Sequence, residues 1–220
     1  MARVTTNQIQ GPAITNSGHV IVFYEQRSAI LARADIDPDV LQLSKIQSGL
    51  FNAKLTLNVG GNPVDVHRAW ISVDVKFYGT SFRFIDTQFE AFDPKVNHDQ
   101  AEELLAGPAN TAEPVVLAMD SNSKANLPRN ATSPTYYDLL QRGFTDAWTQ
   151  AEGDSPGLTC CLESSMPNHR STVIKRIDLI LLRGNLKADS AQVLGGEVSD
   201  KTSGLWPSNH LAVVARLETE

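Results

Sequence analysis

The chain has 220 residues, and 19 Lys and Arg against 25 Asp and Glu leave a net charge of −6. Its 41% hydrophobic and 20% charged residues make the mixture of a globular protein, long enough for one domain with a substantial core or at most two small ones. No apolar run approaches the ~18–20 residues of a membrane-spanning helix, and the acidic balance argues against a general grip on nucleic-acid backbone. An enzyme that meets phosphate only at a metal-filled site stays open.

The chain shows no repeat, no low-complexity tract and no clear linker, which predicts a single domain over residues 19–220. Residues 1–18 are polar and turn-rich and are expected to form a loosely tied arm. They contain no apolar stretch of the kind a cleavable leader needs. His19–Ala34 begins as a continuous apolar run and predicts one strand or two short ones. Asp35–Gln47 gives no clear signal. Phe51–Val59 alternates apolar and polar residues, the period of a half-buried strand. After the turn Gly60-Gly61-Asn62-Pro63, Val64–Phe77 continues as strand, and a turn at Tyr78-Gly79-Thr80 leads into Ser81–Phe89. Short turns between these three strands predict an antiparallel meander.

The pattern then changes. Asp93 followed by Pro94 predicts a helix start, carried by Ala101-Glu102-Glu103-Leu104-Leu105 to Gly107. Glu113–Met119 is a short apolar strand, buried on both faces by its composition. Ser133-Pro134 opens a second helix that Gly143 closes. Val173–Leu182, Ala191–Val198 and Leu211–Leu217 complete the expected strands. Mixed strands with a few helices between them mean α/β or α+β, with sheets large enough to pack on each other.

Three groups of polar residues stand where chemistry could sit. Asp120-Ser121-Asn122 ends the buried strand, where α/β proteins commonly place active-site loops; an aspartate and an amide two residues apart can orient a water and a phosphate oxygen together. Turn capping explains the same residues equally well. Arg176 and Asp178 sit inside a β run and share a face by the period of two, for which a salt bridge between them is the simplest reason. His210, in Ser208-Asn209-His210 before the last strand, titrates near neutral pH and can serve as acid or base.

Taken in order, LAMDSN, RIDLIL and SNH resemble the endonuclease/exonuclease/phosphatase superfamily, the deoxyribonuclease I-like fold, in which these positions typically read GDFN, RIDY and SDH. Upstream, Phe84-Ile85-Asp86-Thr87-Gln88-Phe89 resembles the family strand ending in Asn-Thr-His. The resemblance implies a sandwich of two packed mixed β-sheets flanked by helices, and a metal-dependent phosphoesterase using Mg2+, Mn2+ or Ca2+. It implies that Asp120 orients or deprotonates the attacking water and that Asn122 binds phosphate or metal. By the same analogy Asp178 holds the His210 ring, and His210 contacts the scissile phosphate or serves as acid or base.

Three departures stand out. Gln88 replaces the family's usual His: an amide can still donate to phosphate but carries no charge. Asn209 replaces an Asp that helps hold the metal, which keeps an oxygen ligand beside Asp120 but weakens the site for a hard cation. The family's early strands, with an Asn and a metal-binding Glu, have no convincing counterpart; Glu25 is the nearest imitation and falls in the wrong place. Missing strands would leave an open sheet edge, for which a second copy of the chain is the expected cover. Gln88 and Asn209 also admit a second reading, a pseudoenzyme kept as a binding or assembly module. No G-x-S-x-G elbow supports an ester hydrolase built on Ser121 or Ser208.

The remaining candidates read as structural. Cys160 and Cys161 lack the spacing of a zinc site and are expected as two buried or half-buried thiols, with a vicinal disulfide the minor option. Trp70, Trp148 and Trp206 are expected in the core or a cleft wall. His19, His67, His98 and His169 show no ligand spacing, and Glu90 and Asp93 flank the Gln88 motif.

Overall fold

The computed structural model describes residues 2–15, 18–59, 61–162, 173–202 and 204–219, with side chains described from residue 26 onward. Its centre is a six-stranded mixed sheet. Along the chain, β1 (Ala2–Thr15) and β2 (Gly18–Ile30) form a hairpin, followed by β3 (Leu41–Leu50), β4 (Leu55–Val59), β5 (Asn62–Val66), β6 (Ala69–Phe77) and β7 (Thr80–Gln88). Helix α1 (Pro94–Ala106) leads to β8 (Val115–Asp120), α2 (Thr135–Gln141), β9 (Thr145–Asp146) and α3 (Ala147–Glu152). The chain closes with β10 (Asp178–Arg183), β11 (Leu186–Leu194) and β12 (Ala212–Thr219).

The central order is β3-β6-β7-β8-β10-β9. β7 and β8 run parallel, and α1 supplies the crossover that a parallel pair requires. The helix starts where the sequence says: Asp93 accepts hydrogen bonds from the Lys95 and Val96 amides, Pro94 opens the first turn, and the chain leaves the helix at Gly107. β8 lies between two strands and is nearly all buried, which explains its unbroken apolar sequence.

Helices α1 and α2 cover one face of the sheet. Leu104 and Leu139 pack there with Ile85, Val115, Leu117, Leu179 and Leu181. The opposite face meets the β11–β12 hairpin and α3 through Val116, Leu182, Leu186 and Ala188. The β1–β2 hairpin lies beside it, where Ile30 and Leu31 share a pocket with Phe82 and Phe84. Among the described residues this second layer is two separate hairpins rather than one sheet. Between β12 and the floor formed by Phe84, Asp86, Val116, Ala118 and Ile180 runs a cleft of about 490 Å3.

Several expectations change. The amino-terminal arm is a strand, because Ala2–Thr15 pairs along its length with β2. The unreadable stretch holds most of β3, which takes the place beside β6 that the meander reading gave to residues 51–59. Residues of β4 and β5 form their own two-stranded hairpin, broken from β6 at His67 and Arg68. The strand expected over Val173–Leu182 is confined to Asp178–Arg183, and that over Ala191–Val198 moves back to Leu186–Leu194. β9 and α3 had no prediction. Among the described residues no helix is long and apolar enough to cross a membrane.

Candidate active site

Strand register builds the site. Gln88 at the end of β7 stands level with Asp120 at the end of β8, and Asp120 stands level with Asp178 at the start of β10. Three neighbouring strands thus present one row of polar side chains at one edge of the sheet, beside the cleft.

His210 joins the row from outside the sheet. The segment Thr159–Leu162 is stitched to Lys175 on one side and to residues 209–211 on the other: Cys160 bridges both Lys175 and His210, the Leu162 amide donates to the Asn209 carbonyl, and the Leu211 amide donates to Thr159. The buried Thr159 hydroxyl accepts from the Ile177 and Asp178 amides, fixing the start of β10. This brings Nδ1 of His210 to 3.0 and 2.9 Å from the two Asp178 carboxylate oxygens. Asp178 holds the ring by Nδ1, and Nε2 points to the Cys160 sulfur at 3.5 Å.

The charges follow from this arrangement. The hydrogen bond to Asp178 raises the His210 pKa, opposed by burial and helped by the charges of Asp178 and Asp120, so the imidazolium is favoured. Burial also raises the Asp120 carboxyl, and the neighbouring Asp178 charge adds to it; the Gln88 amide, donating to Asp120 at 2.8 Å, works the other way. The Asn122 amide N–H donates to the other Asp120 oxygen, and the Asn122 side chain donates to the Phe89 carbonyl. Asn122 reaches this position with a left-handed backbone, φ 50°.

Behind Gln88 lies a group that the sequence reading missed. Arg68 donates from one nitrogen to Gln88 at 2.9 Å and to Gln26 at 3.0 Å, and from Nε to Glu90 at 3.2 Å; Gln26 also donates to Gln88. Arg68 is 8% and Glu90 1% exposed. A guanidinium therefore sits directly behind the amide that replaces the expected imidazole. The available signal was charge at the edge of apolar strands: Arg68 precedes AWISV and Glu90 follows β7, and buried charges need partners.

Other candidates resolve plainly. Arg176 pairs with Asp146 at 2.5 Å and not with Asp178, and the Tyr136 hydroxyl, its pKa pushed up to about 12 by burial and Asp146, donates to the same carboxylate. Ser121 is buried and donates to the Ile177 and Ser123 carbonyls, while Ser208 accepts from the His210 amide. Among the described residues neither hydroxyl is hydrogen-bonded to a base, as a nucleophile must be. Glu90 is a structural partner of Arg68, and Asp93 is the helix cap. Asn209 is exposed, and among the described residues its side chain makes no hydrogen bond. Trp206 is core, Trp70 packs on the main core, and Trp148 is half-buried. His98 lies 3.3 Å from Asp138. His169 and the side chains of His19 and Glu25 lie outside the described residues. Cys160 is buried and Cys161 half-buried as expected, but their sulfurs are joined as a disulfide, the minor option of the sequence reading.

Ligand atoms of Asp120, Asp178 and His210 all lie within 4.8 Å of one another. Two carboxylates with one imidazole are a donor set that a divalent cation accepts. Asp178 already engages His210 with both oxygens, so Asp120, buried beside a like charge, is the carboxylate that a cation would stabilise most.

No family model and no curated protein matches the chain. Solved structures do. An endonuclease/exonuclease/phosphatase family protein from Bacteroides thetaiotaomicron aligns at TM-score 0.61 and 18% identity, over 96% of this chain and 74% of its own. A mannosyl-6-phosphatase of the same organism aligns at TM-score 0.59 and 17% identity, over 97% and 77%. TDP2 from D. rerio, solved with a single-strand DNA product, aligns at TM-score 0.58 and 15% identity, over 96% and 77%. The chain has the fold of the endonuclease/exonuclease/phosphatase proteins, as the four motifs implied.

Proposed function

We propose that the protein hydrolyses phosphate esters, as a phosphodiesterase or phosphatase acting on a small or lipid-like substrate. The observation that carries this reading is the row Gln88–Asp120–Asp178 with His210 locked on Asp178 by Nδ1. Asp120 is the acceptor for the proton of an attacking water, and the Gln88 amide favours its ionised form against burial and aims it. The imidazolium of His210, stabilised by Asp178, brings positive charge to a phosphate oxygen, with Nε2–H the one donor that Asp178 does not hold. Asn122 is rigidly placed by its bond to Phe89 and leaves its amide oxygen for water or a cation. Arg68 polarises the Gln88 amide from behind.

A divalent cation, Mg2+, Mn2+ or Ca2+, would be held by Asp120 with Asn209 as a weaker neutral ligand. When bound it neutralises charge that develops on the transferring phosphoryl group. The fold of a mannosyl-6-phosphatase and of TDP2 supports phosphoester chemistry at such a site. The net charge of −6 disfavours nucleic acid as the main substrate.

The test is hydrolysis of a chromogenic phosphodiester and its matching monoester with each cation or with chelator, beside His210→Ala. Cation-dependent turnover that His210→Ala abolishes is the expected result. The binding-module reading is favoured by the engagement of Gln88 with Arg68, Gln26 and Asp120. Absence of turnover above the His210→Ala level, with no cation effect on thermal stability, would establish that reading instead.

We also propose that a second copy covers the outer edge of β12, which pairs only with β11 among the described residues and exposes Val214. A monomer mass in solution at working concentration would remove this part.

A further inference from the structure

Beside the row of oxygen donors lies a second donor set of different character. Cys160, Cys161 and His210 bring two sulfurs and an imidazole nitrogen within 4.8 Å of one another. The Cys160 Sγ to His210 Nε2 separation is 3.5 Å. Sulfur and nitrogen ligands bound at about 2.3 and 2.0–2.1 Å to one tetrahedral ion lie about 3.6 Å apart. The His210 ring is already oriented for such a role, because Asp178 holds Nδ1 and leaves Nε2 directed at the sulfur. A carboxylate on the far nitrogen is the usual support of a metal-bound histidine.

We infer that the reduced protein binds one thiophilic divalent cation, Zn2+ or its analogue Co2+, through Cys160, Cys161 and Nε2 of His210. Thiolate and imidazole donors select this class, whereas the oxygen donors of Asp120 and Asn209 suit Mg2+ or Ca2+. The disulfide must first open. A phosphine reductant takes the oxygen of one water and becomes the phosphine oxide, and the two sulfurs leave as thiols carrying the water's two protons. Cation binding then releases those two thiol protons to solvent, and one more where Nε2 carries a proton. Opening the S–S bond lets the sulfurs separate to the about 3.8 Å that two thiolates on one tetrahedral ion require. Cys161 and His210 are half-buried, which leaves the ion a route in and a fourth position for water.

The cation takes His210 away from substrate, so zinc occupancy and phosphoester hydrolysis exclude each other. That consequence rests on the proposed function; the binding does not. The test titrates the full chain with Co2+ after phosphine reduction and follows the thiolate-to-cobalt charge-transfer band and the visible bands of a tetrahedral ion. One equivalent is expected, displaced by Zn2+, with no band in the unreduced protein. Cys161→Ser and His210→Ala, each with an unchanged far-ultraviolet spectrum, should weaken binding at least tenfold. No charge-transfer band in the reduced protein overturns the inference, and so does a band that His210→Ala leaves intact. Hydrolysis is assayed separately: a protein with no turnover but with the cobalt spectrum loses the proposed function and keeps this site.

Discussion

Gln88 and Asp120 stand level across the parallel strands β7 and β8, and the Gln88 amide donates to the Asp120 carboxylate at 2.8 Å. The contact shows what the amide does at the position where an imidazole was expected: it opposes the burial and the Asp178 charge that push the Asp120 carboxyl toward its neutral form. Replacing the amide with an apolar side chain, Gln88→Leu, removes the largest of the influences that oppose burial at Asp120. The ascending acidic limb of the pH–rate profile should then move to higher pH, with kcat reduced on the order of tenfold at neutral pH. An unmoved limb would show that Asp120 is not the titrating base.

In the proposed function Asp178 acts through His210, whose Nδ1 it holds. Asp178→Asn keeps a polar group beside Nδ1 but removes the charge that favours the imidazolium. A nuclear magnetic resonance titration should show the His210 pKa lowered, and kcat should fall on the order of 10²–10⁴-fold with KM little changed. The linkage has a definite sign. The raised His210 pKa contributes stability below the ordinary histidine range, and this stability is lost as pH rises through the folded value. An unchanged His210 titration in the variant would reject the pairing.

Asp86 lies on the cleft floor and is pushed up to about 6 by burial, from an ordinary value of 3.8, with a hydrogen bond to Ser28 in opposition. The folded chain therefore holds a proton that the unfolded chain releases. Its contribution is fully present below about pH 3.8 and lost as pH rises through about 6. Asp86→Asn should be more stable than the parent at pH 7.5, by up to about 3 kcal/mol, and close to it at about pH 4. Urea unfolding at the two pH values checks this, and equal differences at both would place the perturbation elsewhere.

Arg68 has two roles that substitution can separate. Arg68→Met leaves Glu90 buried without its cation, which costs about 3–5 kcal/mol in such pairs. Arg68→Met with Glu90→Gln removes the stranded charge and should recover at least half of that loss in urea midpoint, because a glutamine oxygen can still accept from Ala91. Turnover should stay low in both, since Gln88 has lost the guanidinium behind it. Full recovery of turnover with stability would make Arg68 purely structural.

Local signals along the chain were enough for some elements. Asp93 and Pro94 start α1 because a capping carboxylate and a preset proline act within one turn, and β8 reads as buried because both its faces are covered. Order along the chain also held Gln88, Asp120, Asp178 and His210 in the pattern of the fold, since parallel and antiparallel register then aligns the first three. Tertiary structure alone decided what depends on partners far away in sequence. Arg176 pairs with Asp146 rather than Asp178, because Arg176 precedes β10 and the two side chains no longer share a strand face. Arg68 reaches Gln88 and Glu90 across the break between β5 and β6. Cys160 meets His210 through the Thr159–Leu162 segment, which has no periodicity to read because its hydrogen bonds go to loops on both sides. The division of the second layer into two hairpins was likewise invisible, since a strand's sequence records that it has a buried face but not which strand lies beside it.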